Sequence, residues 1–144
     1  MSRSIARAPT HLRAVGSVSL LWNAVGAFGY LATRLGLESW MDKYSDAQQA
    51  FFDGYPAWAV SCWALGVWGA AFGSIALLLR SRLAVVLFAV SLIGLIGSSV
   101  HSFLLSDGVA LMGSSGAVFS AVIVIVAVGL LVYARRMSAA GVLR

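Results

Sequence analysis

The stretch WALGVWGAAFGS, from Trp63 to Ser74, places glycines at positions 66, 69 and 73 beside two tryptophans. It lies in an uncharged run from Gly54 to Leu79, which is long enough for an α-helix to cross the roughly 30 Å hydrocarbon core of a bilayer. On such a helix the three glycines share one face and form a shallow groove. Because lipid gives helix association little hydrophobic drive, a groove of this kind is typical of a site where another helix packs closely.

The rest of the chain has the composition of an integral membrane protein. Of its 144 residues, 60% are hydrophobic and 10% are charged, whereas a soluble domain carries about 25% charged residues. We predict an all-α fold, a membrane four-helix bundle that forms one domain over residues 1–144. The spans are expected over residues 14–33, 55–79, 83–105 and 109–134.

The basic residues indicate the orientation of the spans. One side of the predicted membrane has eight arginines and no acid, and the other side has Arg34, Lys43 and every acidic residue. The eight arginines are Arg3, Arg7, Arg13, Arg80, Arg82, Arg135, Arg136 and Arg144. The positive-inside rule therefore predicts a multi-pass protein with both termini in the cytoplasm. We expect the first span to be retained and not cleaved as a signal peptide. Because the basic residues flank apolar runs, nucleic acid is not an expected partner.

The first outer loop has the pattern of an amphipathic helix over residues 39–52. Trp40, Tyr44, Ala47 and Phe51 recur at helical spacing, and Ser39 is placed to cap the first turn. An aromatic stripe at this position predicts an interfacial helix that lies flat on the membrane. The alternative is a lid over a binding site.

Small residues on the other spans predict where the helices pack. Span one repeats small or polar residues along one seam, and span three has a similar face. The expected helix-packing residues are Gly66, Gly69, Gly73, Gly94 and Gly26.

A few polar and aromatic residues are candidates for a ligand site. Asn23 is expected near the membrane midplane, about 15 Å from Arg13. Tyr30, Trp58 and His101 are expected near the outer boundary, where together with Asn23 they would form a small polar cluster. Each of them has an alternative structural role, since a mid-membrane amide also serves to bond two helices together.

The sequence lacks the signatures of catalysis and of coupled transport. No Asp, Glu, Lys or Arg lies inside a predicted span, although ion-coupled transporters usually need such groups. No zinc-protease, nucleophile-elbow or phosphate-loop motif occurs, and His11 and His101 are expected on opposite sides of the membrane. We expect no enzymatic activity, no cofactor and no metal.

Two stretches carry a resemblance to a known family. LLWNAVGAFGY, from Leu20, contains an L-W-N-x-x-G-x-x-x-Y pattern, and the segment from Gly54 contains Y-P-x-W and W-A-x-G-V-W-G. The chain resembles a family of small bacterial proteins with four transmembrane helices, mostly uncharacterised and sometimes labelled as sugar transporters. The resemblance implies the four-span fold and a location in a bacterial inner membrane. It also implies importance for the following residues: Asn23, Gly26, Tyr30, Pro56, Trp58, Trp63, Gly66, Trp68 and Gly69.

Two functions remain open from the sequence. The first expectation is a non-enzymatic protein that acts in the lipid bilayer through helix–helix contacts with itself or with another membrane protein. The alternative is a subunit of an oligomeric transporter or channel for a small neutral solute such as a sugar. A polar cavity that reaches Asn23 would favour transport, and a dry interior with Asn23 bonded to a neighbouring helix would favour interaction.

Overall fold

The computed structural model describes residues 7–144, so Arg3 lies outside the described residues. The fold is an all-α four-helix bundle with two short helices in the first loop. In chain order the helices are α1 (Thr10–Arg34), α2 (Glu38–Met41), α3 (Asp46–Asp53), α4 (Ala57–Leu78), α5 (Leu83–Leu104) and α6 (Gly108–Ala139). Helices α1, α4, α5 and α6 are each long and apolar enough to cross a membrane. The protein is therefore a multi-pass membrane protein.

Helix α4 lies at the centre of the packing. The closely packed pairs of long helices are α4 with α5, α1 with α4, and α5 with α6. Of the four long helices α4 is the most buried and α6 the least. This order agrees with the small residues of α4, which allow close packing, and with the β-branched residues that give α6 a smooth surface. Helices α1 and α6 are not a closely packed pair within residues 7–144.

The bundle has a basic end and an acidic end. At the acidic end lie the five acidic residues, and at the basic end the C-terminal residues fold onto the turn between α4 and α5. Arg82 N donates to the carbonyl of Arg144 at 2.9 Å, and Arg80 Nε donates to the carbonyl of Val142 at 3.0 Å. Leu143 is buried there in a core cluster with Leu12. The basic end is thus densely packed.

The loop at the acidic end differs from the predicted single helix over residues 39–52. It forms α2 and α3, which are separated at residues 42–45. Ser45 is the N-cap of α3: its hydroxyl accepts from Gln48 N, and the Gln48 side chain accepts from Ser45 N. This capping box favours the start of a new helix, because the two side chains accept hydrogen bonds from the backbone N–H groups of Ser45 and Gln48. In a continuous helix, backbone carbonyls would accept these two hydrogen bonds. Ser39 lies inside α2 and caps nothing, since the N-cap of α2 is Leu37.

Two glycines with positive φ shape the acidic half of the bundle. Gly36 (φ 62°) ends α1 in a Schellman motif, in which Leu37 N donates to the Ala32 carbonyl at 3.0 Å. Gly113 (φ 70°, ψ −177°) interrupts α6 after its first turn. Both conformations strain residues that carry a Cβ. The kink at Gly113 separates the start of α6 from the long straight part that packs on α5.

Candidate functional site

The glycines of α4 lie against α5. A Cβ built on Gly69 would be 3.1 Å from the Leu87 carbonyl oxygen, and one on Gly73 would be 2.8 Å from the Phe88 ring. Gly66 would meet the Leu95 side chain at 2.8 Å. The glycine groove of α4 is therefore filled by α5, a helix of the same chain.

Gly94 faces this groove from the α5 side. A Cβ on Gly94 would lie 2.5 Å from the Cys62 carbonyl oxygen and 2.6 Å from Gly66 N, both of which are backbone atoms. Ser91 Oγ donates across the same interface to the Gly66 carbonyl at 2.6 Å. Such close approach is the usual source of helix association in lipid.

Gly26 is placed differently from the other four packing candidates. It is exposed on α1, and the nearest side-chain atom to a Cβ built there belongs to Val67, at 4.0 Å. Gly26 lines a cavity of about 260 Å³ that we call the apolar cavity. This cavity lies between α1 and α4, with Leu95 of α5 and Phe119 and Ile123 of α6 on its far side.

The apolar cavity opens at the surface between α1 and α6. The contacts that join these helices include a 2.6 Å hydrogen bond between His11 Nδ1 and the Tyr133 hydroxyl and a contact between the rings of Trp22 and Phe119, whose centroids are 6.3 Å apart. Val25 and Phe119 line the cavity and are also exposed on the outer surface of the bundle, at 67% and 58%. Since these residues lie on membrane-spanning helices, the opening faces the lipid.

Asn23 provides a buried polar group in this wall. Its Nδ2 donates to Ser74 Oγ at 2.9 Å and to the Ala70 carbonyl at 3.2 Å, both on α4. Because a carbonyl oxygen only accepts, these bonds fix which side of the amide faces α4. Among residues 7–144, Oδ1 of Asn23 has no hydrogen-bond partner, and it remains an acceptor at a residue that lines the cavity.

Aromatic rings close the cavity towards the acidic end. Trp63 contacts Tyr30 edge-on at 5.0 Å between ring centroids and stacks on Phe52 at 6.1 Å. Trp40 lines the cavity from α2, and its Nε1 donates to Thr33 Oγ1 at 3.1 Å. The loop that contains α2 and α3 thus covers the cavity with Trp40, Tyr44 and Phe52.

The predicted polar cluster is divided between two places. Asn23 and Tyr30 line the apolar cavity, but Trp58 and His101 do not. These two contact each other at 5.4 Å between ring centroids, and His101 also packs on Tyr55 at 4.6 Å. His101 is buried, and its Nδ1 has no hydrogen-bond partner within residues 7–144.

Tyr55 joins the two halves of the divided cluster. Its ring contacts both His101 and Trp63, and its hydroxyl shares a 2.5 Å hydrogen bond with Ser102 Oγ. Burial raises the pKa of the Tyr55 phenol, and the hydrogen bond to Ser102 lowers it by less. The phenol therefore stays protonated at neutral pH. Tyr55 was not among the site residues predicted from the sequence, although it stands beside Pro56 in the Y-P-x-W pattern.

The apolar cavity is lined by aromatic and aliphatic side chains with a few polar groups. Within the described chain, no three His, Cys, Asp or Glu side chains come close enough to hold a metal ion. Ligand pockets are typically apolar and aromatic with a few placed polar groups, which describes the apolar cavity. The described residues thus form a small multi-pass helical membrane protein with a cavity that opens between α1 and α6. In comparisons with known proteins, no family model, no curated protein and no solved structure matches the chain. Membership of the four-span family stays a prediction from its motifs.

Proposed function

We propose that this protein binds a small, uncharged and mainly apolar molecule, which enters the apolar cavity sideways from the membrane. The observation that carries the proposal is a cavity of about 260 Å³ whose wall combines aromatic rings with the free acceptor of Asn23. The arginine pattern and the family resemblance support its placement in a bacterial inner membrane with both termini in the cytoplasm.

The lining of the cavity argues against a sugar as the ligand. A sugar needs several hydrogen bonds when it leaves water, because each unpaired polar group costs free energy in an apolar environment. The described wall has four side chains that carry an oxygen, Asn23, Tyr30, Thr33 and Tyr44. The hydroxyl of Thr33 is already bonded to Gly29 and Trp40, and most of the other wall residues, such as Val67 and Leu95, are apolar. An apolar molecule dissolved in lipid loses little solvation on entering such a site.

The test uses the tryptophans already present in the chain. The first protein retains Trp63, which lines the cavity, as its only tryptophan. The matched protein retains only Trp68, which does not line the cavity. Both are placed in nanodiscs and titrated with 1-bromododecane, whose bromine quenches indole fluorescence on contact. We expect saturable quenching of Trp63 and only a gradual partition effect on Trp68.

Filling the cavity should abolish the saturable signal. Gly26→Leu places a side chain in the cavity, and Gly129→Leu makes the same change on α6 where a Cβ meets no atom within 4 Å. We expect Gly26→Leu to lose saturable quenching and Gly129→Leu to retain it. Equal quenching in both variants, or no saturation in the parent protein, would reject the proposal.

Helix–helix association with a second membrane segment is the second candidate function. The α4 glycines give it no support, because α5 covers them. The exposure of Gly26 at the opening between α1 and α6 favours it, since a small residue admits a close backbone approach. Native mass measurement in nanodiscs tests this candidate: an oligomer that Gly26→Leu dissociates supports it, and a monomer counts against it.

A further inference from the structure

A second, smaller cavity adjoins the apolar cavity. It has a volume of about 150 Å³ and lies between α4, α5 and α6 near the acidic end. Four residues line both cavities: Phe52, Trp63, Leu95 and Ile123. The two spaces are therefore separated by single side chains and not by a helix.

The second cavity is rich in hydroxyl groups, and we call it the serine compartment. Ser98, Ser99 and Ser102 line it from α5, and Ser120 lines it from α6. Ser102 is paired with Tyr55, whose ring also lines the compartment. Among residues 7–144, the hydroxyls of Ser98, Ser99 and Ser120 have no hydrogen-bond partner.

Three unpaired hydroxyls in one compartment need an explanation. Serine on a membrane helix usually bonds to the backbone one turn earlier, as Ser61 does to the Ala57 carbonyl. A hydroxyl in an apolar environment without a partner costs free energy. These three groups instead leave donors and acceptors available to a molecule inside the compartment.

Trp63 offers a further donor at the boundary. It lines both cavities, and its indole N–H has no partner among the residues described. Trp63 is half-buried, and an indole N–H in apolar surroundings usually finds a partner. This residue of the boundary therefore offers an unused donor.

Charge limits the kind of molecule that fits. None of the described side chains that line the apolar cavity or the serine compartment is charged. A phosphate, carboxylate or ammonium group would be desolvated there without a counter-charge. A hydroxylated, uncharged group would pair with the serines at no such cost.

We infer that one ligand occupies both spaces, and that it is a neutral single-chain amphiphile with a hydroxylated head. The head would bind the serines and the Trp63 N–H, while the chain passes Trp63 into the apolar cavity. The inference rests on the proposed function, because the chain must occupy the apolar cavity. It adds the chemistry of the head.

The experiment compares two probes that share one brominated acyl chain. The first is a monoacylglycerol, and the second is the same molecule with both hydroxyls methylated. Quenching of Trp63 is titrated in nanodiscs, with each affinity expressed as a mole fraction in the lipid. We expect the monoacylglycerol to bind about tenfold more tightly, the equivalent of about 1.4 kcal/mol or two net hydrogen bonds.

Removing the unpaired hydroxyls should remove this preference. The triple variant Ser98→Ala, Ser99→Ala, Ser120→Ala is expected to bind both probes equally. Its matched control replaces three exposed serines outside the cavities, Ser17, Ser61 and Ser115, with alanine, and should keep the preference. The triple variant should remain folded, with a melting temperature no lower than that of the parent.

The outcomes distinguish this inference from the proposed function. Equal binding of the two probes by the parent, or an unchanged preference in the triple variant, would overturn the hydroxylated head and leave the apolar site intact. Saturable quenching by neither probe would reject both the head and the cavity as a binding site.

Discussion

The side-chain amide of Asn23 on α1 donates a 2.9 Å hydrogen bond to Ser74 Oγ on α4, and both residues are buried. Ser74 Oγ in turn donates to the Ala70 carbonyl at 2.9 Å, which also accepts from Asn23. One small network therefore joins the two helices beside the apolar cavity. Asn23 supplies both the bond between the helices and a free acceptor in the cavity wall.

Asn23→Ala should destabilise the bundle by about 1 kcal/mol, because it removes both donors that reach α4. Ser74→Ala should cost less, since Asn23 would still donate to the Ala70 carbonyl. The free energy of unfolding is measured for both variants by titration with SDS in mixed micelles. A larger loss for Ser74→Ala than for Asn23→Ala would contradict this account of the network.

Gly94→Ala should destabilise the protein by about 1–3 kcal/mol, the usual range for overpacking. The new methyl group would press on backbone atoms of Cys62 and Gly66, which cannot move without separating α4 from α5. Gly26→Ala is the matched control and should not destabilise the protein, because its Cβ would make only an ordinary contact with Val67 at 4.0 Å and alanine is the better helix former. The same SDS titration measures both, and equal effects would show that the close α4–α5 approach is not needed.

The number and extent of the long helices could be predicted from the sequence because uncharged runs of this length leave a chain few alternatives in lipid. The expected spans lie within a few residues of α1, α4, α5 and α6. The structure also brings Gly66, Gly69 and Gly73 onto one face of α4. That placement follows from helical geometry alone.

The candidate site could not be predicted from the same reasoning. The apolar cavity exists because α1 and α6 are held apart, and their separation depends on which helices pack against α4 and not on any local pattern. Tyr30, Trp58 and His101 share an expected depth in the membrane, but depth does not tell which side of a helix two residues share. The S-x-x-Q spacing of Ser45 and Gln48 was a usable signal for the start of α3.

Ser45→Ala should loosen α3, which covers the apolar cavity with Phe52. Loss of an N-cap costs about 1 kcal/mol, so the first-turn amides of α3 should exchange with solvent about fivefold faster. Hydrogen exchange followed by mass spectrometry or NMR measures the rate at Gln48. Ser39→Ala is the control, because Ser39 makes no cap bond in α2. Equal rates in the two variants would mean that the capping box does not hold α3.

High pH should destabilise the protein through Tyr55. Burial raises the pKa of its phenol in the folded state above the ordinary value of about 10. Between the pKa of the unfolded state and that of the folded state, the unfolded chain loses the proton while the folded protein keeps it. The contribution of Tyr55 to the free energy of unfolding therefore falls as pH rises beyond about 10 and is constant below that pH. Tyr55→Phe lacks the titrating group and should show a shallower fall. Unfolding measured between about pH 8 and about pH 11 compares the two proteins, and identical slopes would show that Tyr55 is not desolvated in its contacts with His101 and Ser102.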